Sequence, residues 1–253
     1  MPENNICGYP LLYFDILPST NTYIKEHLDE LCDKTVVIAD MQSSGRGRLG
    51  NTWLATRDML PVSVLLKNPE SALHITLICA IAVCRAAERL CGLPMQIKWT
   101  NDIICQNRKV CGILCESMIK CSAGGSAKPG YVICGMGLNV NQPLSFFEQT
   151  GLENAASLFS LTDKKYEKML AAEYIVSELF SLCEVCFDEI LSEYQTRCLT
   201  IGKQVKLVQN NTETIAFAKA VAADGSLICE NENGTFAVNA GQVRVRGVNG
   251  EYV

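Results

Sequence analysis

The segment from residue 95 to residue 116 constrains the fold more than any other. Residues 95–99 and 102–105 are strand-like runs broken by Thr100 and Asn101. Gln106-Asn107-Arg108 makes a turn, and residues 110–116 pair back as a hairpin. A mostly buried helix over residues 72–90 comes just before, ended by Cys91-Gly92-Leu93-Pro94. Hairpins and helices therefore mix in the larger part of the chain. The expected fold class is α+β, a mixed β-sheet packed with helices.

Pro18-Ser19-Thr20-Asn21 reads as a helix start, because short polar side chains cap orphan N–H groups. Ile24, Leu28 and Leu31 then recur at helical spacing. Residues 35–39 and 62–66 read as strands, and 131–140 as a strand holding Gly135 and Gly137. Residues 121–130 are Gly/Ser-rich and read as an exposed loop, and 165–198 as a long helical region. After Gly202 short β-rich runs are punctuated by Asp224-Gly225 and Asn233-Gly234, both strong hairpin turns. A boundary is expected near residue 199, with a catalytic-sized unit over 1–198 and a small β-barrel over 199–253.

Of 253 residues, 48% are hydrophobic and 19% charged, enough apolar surface for a sizeable core and against disorder. The longest apolar stretch, residues 75–84, is half the roughly 20 residues of a membrane span. No Lys or Arg precedes Lys25, so no secretory n-region is visible and a cytoplasmic protein is expected. The 14 cysteines then read as reduced thiols, mostly small core residues. With only His27 and His74, a His-rich metal site is excluded, and no resident metal is expected. A net charge of −5 argues against a nucleic-acid partner.

Gly45-Arg46-Gly47-Arg48-Leu49-Gly50 formally matches a dinucleotide-binding loop, but that loop must open a helix. Here Asn51-Thr52-Trp53 follows. The glycines let backbone N–H groups converge on an anion, and Arg46 and Arg48 add bidentate donors. Trp53 could cover a ring. Alone, such a loop also reads as an exposed turn with two solvated arginines. Asp102 and Lys109 can meet at one sheet edge through antiparallel pairing, a combination suited to Mg²⁺ and phosphate. Alone, they read as a turn Asp and a surface Lys. Gly135 and Gly137 within a strand mark either a ligand's close approach or a bulge. Cys183-Glu184-Val185-Cys186 falls inside the helical pattern and reads as core packing, as do Cys111 and Cys115.

Taken in order, these pieces resemble the biotin protein ligase family, the biotin–[acetyl-CoA-carboxylase] ligases. The resemblance rests on Ser19-Thr20-Asn21, on Gln42, on the Gly45–Trp53 loop and on Lys98-Trp99-Thr100-Asn101-Asp102. It extends through Lys109–Glu116 and Gly135–Val140, with Gly225 and Gly241 near the turns of the family's small barrel. It is dense over residues 15–141. It implies a biotin/lipoate ligase-like catalytic domain and a Src-homology-3-like C-terminal barrel.

The resemblance implies ATP-dependent activation of biotin as biotinoyl-5′-AMP, then transfer to a lysine of a biotin carboxyl carrier domain, with Mg²⁺ assisting. Ser19, Thr20, Asn21, Gln42, Gly45, Arg46, Lys109, Gly112 and Gly135 would bind biotin. Arg46, Arg48, Trp53, Asn101, Asp102, Lys109 and Asn139 would bind ATP or the adenylate. Lys109, Arg48 and Asp102 are the catalytic candidates. Lys109 would bridge the biotin carboxylate and the α-phosphate, Arg48 would neutralise phosphates, and Asp102 would orient or deprotonate the acceptor lysine. The loop would order over ligand as a lid. Family members also form dimers through sheet edges. The longer ones carry an N-terminal DNA-binding domain, for which the seventeen residues before Pro18 are too few, so no repressor role is expected. Asn51 stands where the family has a third arginine, and Thr100 where it has proline. The rival readings are a lipoate or octanoate ligase or transferase of the same architecture, and a non-catalytic nucleotide or nucleic-acid binding module.

Overall fold

In the computed structural model, residues 5–69, 71–121, 127–209, 212–239 and 243–248 are described. The first eight strands are β1 (Asn5–Ile6), β2 (Tyr9–Leu17), β3 (Val36–Gln42), β4 (Met59–Lys67), β5 (Gln96–Lys98), β6 (Asp102–Cys105), β7 (Arg108–Cys121) and β8 (Ala127–Asn139). They form one sheet in the order β1-β2-β3-β4-β8-β7-β6-β5. Strands β2 and β3 run parallel, joined through α1 (Thr20–Glu26), and every other neighbouring pair is antiparallel. The sheet is therefore mixed, as the hairpin pattern requires.

Both faces are covered, and the strands show it. All but the last residue of β4 are buried, a continuous apolar run rather than an alternation. On one face α1 packs over Leu17, Val37, Ala39, Leu65 and Ile133 through Ile24. On the other lie α2 (Ala72–Cys91), α5 (Lys168–Leu182) and α6 (Phe187–Arg197), over a core that includes Val36, Ile38, Val64 and Cys134. Two short helices, α3 (Leu144–Gln149) and α4 (Leu158–Thr162), follow β8.

Helix α1 is capped by the Ser19 side chain, which accepts from the Thr22 amide. It is shorter than the spacing of Leu28 and Leu31 suggests. The chain tightens at His27, whose amide bonds both Tyr23 and Ile24 carbonyls, and both leucines still pack on the α1 cluster from the turn. Helix α2 ends as expected, with Gly92 in the left-handed conformation at φ 73°.

The helical region over 165–198 is two helices, and the expected core packing of Cys183 and Cys186 is overturned. Both are exposed, in the break between α5 and α6. One straight helix of that length would run about 50 Å and leave the core, at 1.5 Å per residue. Breaking at Cys183–Cys186 lets α5 and α6 both pack against α2. Strands β7 and β8 also extend into the expected 121–130 loop, to Cys121 and from Ala127; residues 122–126 lie outside those described.

The C-terminal part is a five-stranded antiparallel sheet of β9 (Gln204–Gln209), β10 (Thr212–Val221), β11 (Leu227–Asn231), β12 (Gly234–Val238) and β13 (Arg244–Gly247), in the order β12-β11-β10-β9-β13. Gly225 and Gly234 turn its hairpins at positive φ, while Gly241 lies outside the described residues. Trp99 fastens this sheet to the larger one. Its indole donates to the Gly225 carbonyl at 3.1 Å and its amide to Thr200 Oγ1 at 3.0 Å. Val205, Leu207 and Leu227 join the main core cluster. Among the described residues, no helix is long and apolar enough to cross a membrane.

Candidate active site

The sheet order creates the site. Strands β4, β8 and β7 lie side by side, so Gly137 and Gly112 are direct cross-strand partners, as are Gly135 and Leu114. The Gly45–Trp53 loop folds onto this floor. It is closed by Gly47 N donating to Asn51 O at 2.7 Å and Trp53 N to Gly45 O at 2.9 Å. A β-carbon at Gly112 would stand 2.8 Å from Trp53 Cζ3, and one at Gly137 2.8 Å from Trp53 Nε1. Those two positions lack side chains because an indole lies on them, which explains the glycines in the strand better than a bulge does.

Two hollows meet here. The inner one is lined by Ser19, Thr20, Asn21, Gln42, Arg46 and Gly135 among others. The outer one, about 890 Å³, lies between the large sheet and the C-terminal sheet and includes Lys98, Asp102, Asn139, Phe146, Glu153 and Arg246. Gly47, Arg48, Trp53, Asn101 and Lys109 line both.

The inner hollow is a fixed polar end. Gln42 Oε1 accepts from the Thr20 amide at 2.8 Å and hydroxyl at 3.1 Å. Ser63 Oγ lies 2.7 Å from both Thr20 Oγ1 and Asn21 Oδ1. Asn21 Nδ2 donates to the Leu114 carbonyl and to Glu116. Such a network holds its members in place before any ligand arrives.

At the junction, Lys109 Nζ is 2.7 Å from Asp102 Oδ1 and 5.2 Å from the Trp53 ring centre. A shift in β6–β7 register between Ile103 and Ile104 allows the pair to meet. Arg48 Nη1 donates to Asn101 Oδ1 at 2.5 Å, and Asn101 Nδ2 to the Ile113 carbonyl at 2.9 Å. Burial pulls the Arg48 guanidinium below its usual pKa, against the nearby Asp102 charge. Burial also lowers Lys98 to about 8, with Asp102 opposing and Lys109 adding to the shift.

Not every expected residue points where expected. Arg46 pairs with Glu116 at 3.1 Å, on the floor strand β7. Asn139 is held by the Ala156 carbonyl and by Gln142, so in this form it shapes the outer wall. Gly45 lines neither hollow and serves the loop's backbone closure.

Residues 13–139, half of the chain, match the model of the biotin/lipoate A/B protein ligase family. The chain belongs to that family. Among its relatives, the bifunctional ligase/repressor BirA of Bacillus subtilis is 26% identical over 249 residues, covering 92% of this chain and 73% of that protein. A biotin–[acetyl-CoA-carboxylase] ligase of Mycobacterium tuberculosis is 27% identical, covering 83% and 79%. The biotin protein ligase of Aquifex aeolicus in complex with biotin and ATP superposes with a TM-score of 0.76 at 26% identity, over 94% of this chain and 98% of that one.

Within this ligase-family site, motif reading passed over Ser63, Glu116, Lys98 and Arg246. Glu116 and Lys98 sit inside motifs already singled out, so their signal was present. Ser63 is one polar residue in an apolar strand, a signal in itself. Arg246 carried no local signal, because its place depends on how the C-terminal sheet docks.

Proposed function

We infer that the protein is an ATP-dependent biotin protein ligase, a biotin–[acetyl-CoA-carboxylase] ligase. The observation that carries this is the shared wall of Gly47, Arg48, Trp53, Asn101 and Lys109 between an inner and an outer hollow. A small acid in the inner hollow would present its carboxylate to the α-phosphate of a nucleotide in the outer one, across Lys109. The carboxylate attacks the α-phosphorus and pyrophosphate leaves. The acceptor lysine amine then attacks the acyl carbon of the mixed anhydride and AMP leaves.

Position supports the following roles. Ser19, Thr20, Asn21, Gln42, Gly112 and Gly135 surround biotin, with Arg46 at its carboxylate end and the Gly45 backbone closing the loop that carries it. Lys109 and Arg48 offset the negative charge that builds at the α-phosphate. Asn101 orients Arg48, and Asn139 shapes the nucleotide wall. Trp53 shelters the anhydride from water, and its buried Nε1, without a partner among the described residues, offers a donor to the ligand. Asp102 receives the acceptor amine's proton or orients it. Mg²⁺ comes with ATP; a hard cation takes one or two carboxylates plus phosphate oxygens, and Asp102 and Glu153 line the outer hollow.

The acceptor is a lysine of a biotin carboxyl carrier domain of a carboxylase. In this reading residues 1–198 are the catalytic unit and 199–253 a small Src-homology-3-like barrel. The antiparallel order β12-β11-β10-β9-β13 supports that assignment. A cytoplasmic setting with ATP at hand and a homodimer through sheet edges complete the reading.

Biotin-dependent ATP–pyrophosphate exchange with Mg²⁺, run beside lipoate and octanoate, tests it without needing the acceptor. Exchange with biotin alone is expected. Exchange with lipoate instead would keep the chemistry and move the substrate. No exchange with any acid, joined to a fluorescence response to single-stranded DNA, would favour a binding module.

A further inference from the structure

Behind the inner hollow, on the opposite face of the same strands, three thiols converge. Cys115 on β7 and Cys134 on β8 are direct cross-strand partners. Cys79 on α2 completes the group, and all three Sγ atoms lie within 4.8 Å of one another. Among the described residues this is the only such group of potential metal ligands. The preceding cross-strand pair, Leu114 and Gly135, lines the inner hollow. Side chains alternate faces along a strand, so the thiols sit one residue away from the site, under α2.

We propose that Cys79, Cys115 and Cys134 form a binding site for one soft, thiophilic cation, with monovalent copper as the ion it suits best. Three atoms no more than 4.8 Å apart share a point about 2.8 Å or less from each, against about 2.3 Å for a metal–thiolate bond such as Zn–S. Small side-chain rotations close that gap. The donor set is sulfur only, which selects soft ions over Mg²⁺ or Ca²⁺. Zinc in a structural site wants four ligands, and three sulfurs suit a d¹⁰ ion of lower coordination number.

The site is sheltered by the fold. Cys79 and Cys134 are fully buried and Cys115 is partly buried. Binding releases the protons of the coordinating thiols to solvent and changes no oxidation state.

The test is an anaerobic titration of the full-length, reduced protein with Cu(I) against a chromophoric chelator. One equivalent is expected to resist the chelator. In Cys79→Ala and Cys134→Ala the chelator concentration that strips it should fall at least tenfold. In Cys183→Ser and Cys186→Ser, at exposed positions, it should not change. X-ray absorption of the wild-type protein at one equivalent gives a second reading that needs no variant. Three Cu–S bonds are expected. A linear two-sulfur site, or a tight equivalent that persists in both alanine variants and is lost in the serine ones, would overturn the proposal.

Discussion

The Lys109 ammonium lies 2.7 Å from the Asp102 carboxylate, at the seam where the two hollows meet. The pair holds Lys109 where the acid and the phosphate would come together. Lys109→Ala should lower kcat/KM for biotin-dependent exchange by about 100- to 1000-fold, the usual cost of removing one donor to a developing anion. Both side chains are partly exposed, so Tm should move by only a few degrees. Asp102→Asn should slow transfer to the acceptor more than it slows exchange. Equal loss in both assays would remove the acceptor role from Asp102.

Gly112 and Gly137 are spaced for an indole. Gly137→Ala places a methyl 2.8 Å from Trp53 Nε1 and must push the ring off the floor. The KM for biotin should rise about tenfold or more, roughly 1.4 kcal/mol per factor of ten. Adding Trp53→Ala removes the clash, so the double variant should lose no more than Trp53→Ala alone. Purely additive losses would mean that the alanine acts elsewhere.

Lys98 supplies a pH signature. Burial lowers it from 10.5 to about 8. Below about pH 8 it is charged and attracts phosphate; above, it is neutral. Measured kcat/KM for ATP, which reports the free enzyme, should fall as pH rises through about 8. Lys98→Arg should remove that limb. The stability sign is the opposite. Between pH 8 and 10.5 the unfolded chain binds the proton that the folded chain has lost, so stability rises with pH across that window. Lys98→Met should raise Tm at pH 7 and raise the KM for ATP. An unchanged pH profile in Lys98→Arg would assign the limb to another group.

Arg46 and Arg48 lie in the loop over the inner hollow, one tied to Glu116 and the other to Asn101. Limited trypsin digestion should cut after them more slowly when biotin and ATP are both present, by severalfold in initial rate. Equal rates with and without the ligands would mean that the loop does not act as a lid.

The local parts of this site were legible because each is a short motif whose spacing lies within one element. Ser19 caps α1, Gly92 ends α2, and the hairpin turn at residues 106–107 brings Lys109 back to Asp102. What stayed hidden depends on sheet order. Arg46 and Glu116 are 70 residues apart, and nothing short-range says that β7 forms the floor beneath the loop. The same holds for the three thiols: Cys79, Cys115 and Cys134 each read as a core residue, and only the packing of α2 across β7 and β8 joins them. The Cys183–Cys186 segment was misread for the converse reason. Its apolar periodicity continues through a break that only the shape of α2's surface demands.

Trp99 gives the molecule a keystone. Its indole reaches into the hairpin at Gly225 while its backbone leans on Thr200, and it joins the end of β5 to Asn101 and Asp102. A protein truncated after residue 198 would leave that ring without its partner and the outer hollow with one wall. The division between the two parts is therefore a line in the sequence that the masonry does not respect. A split-protein design cut at that line would yield two halves that stand only when they lean on each other.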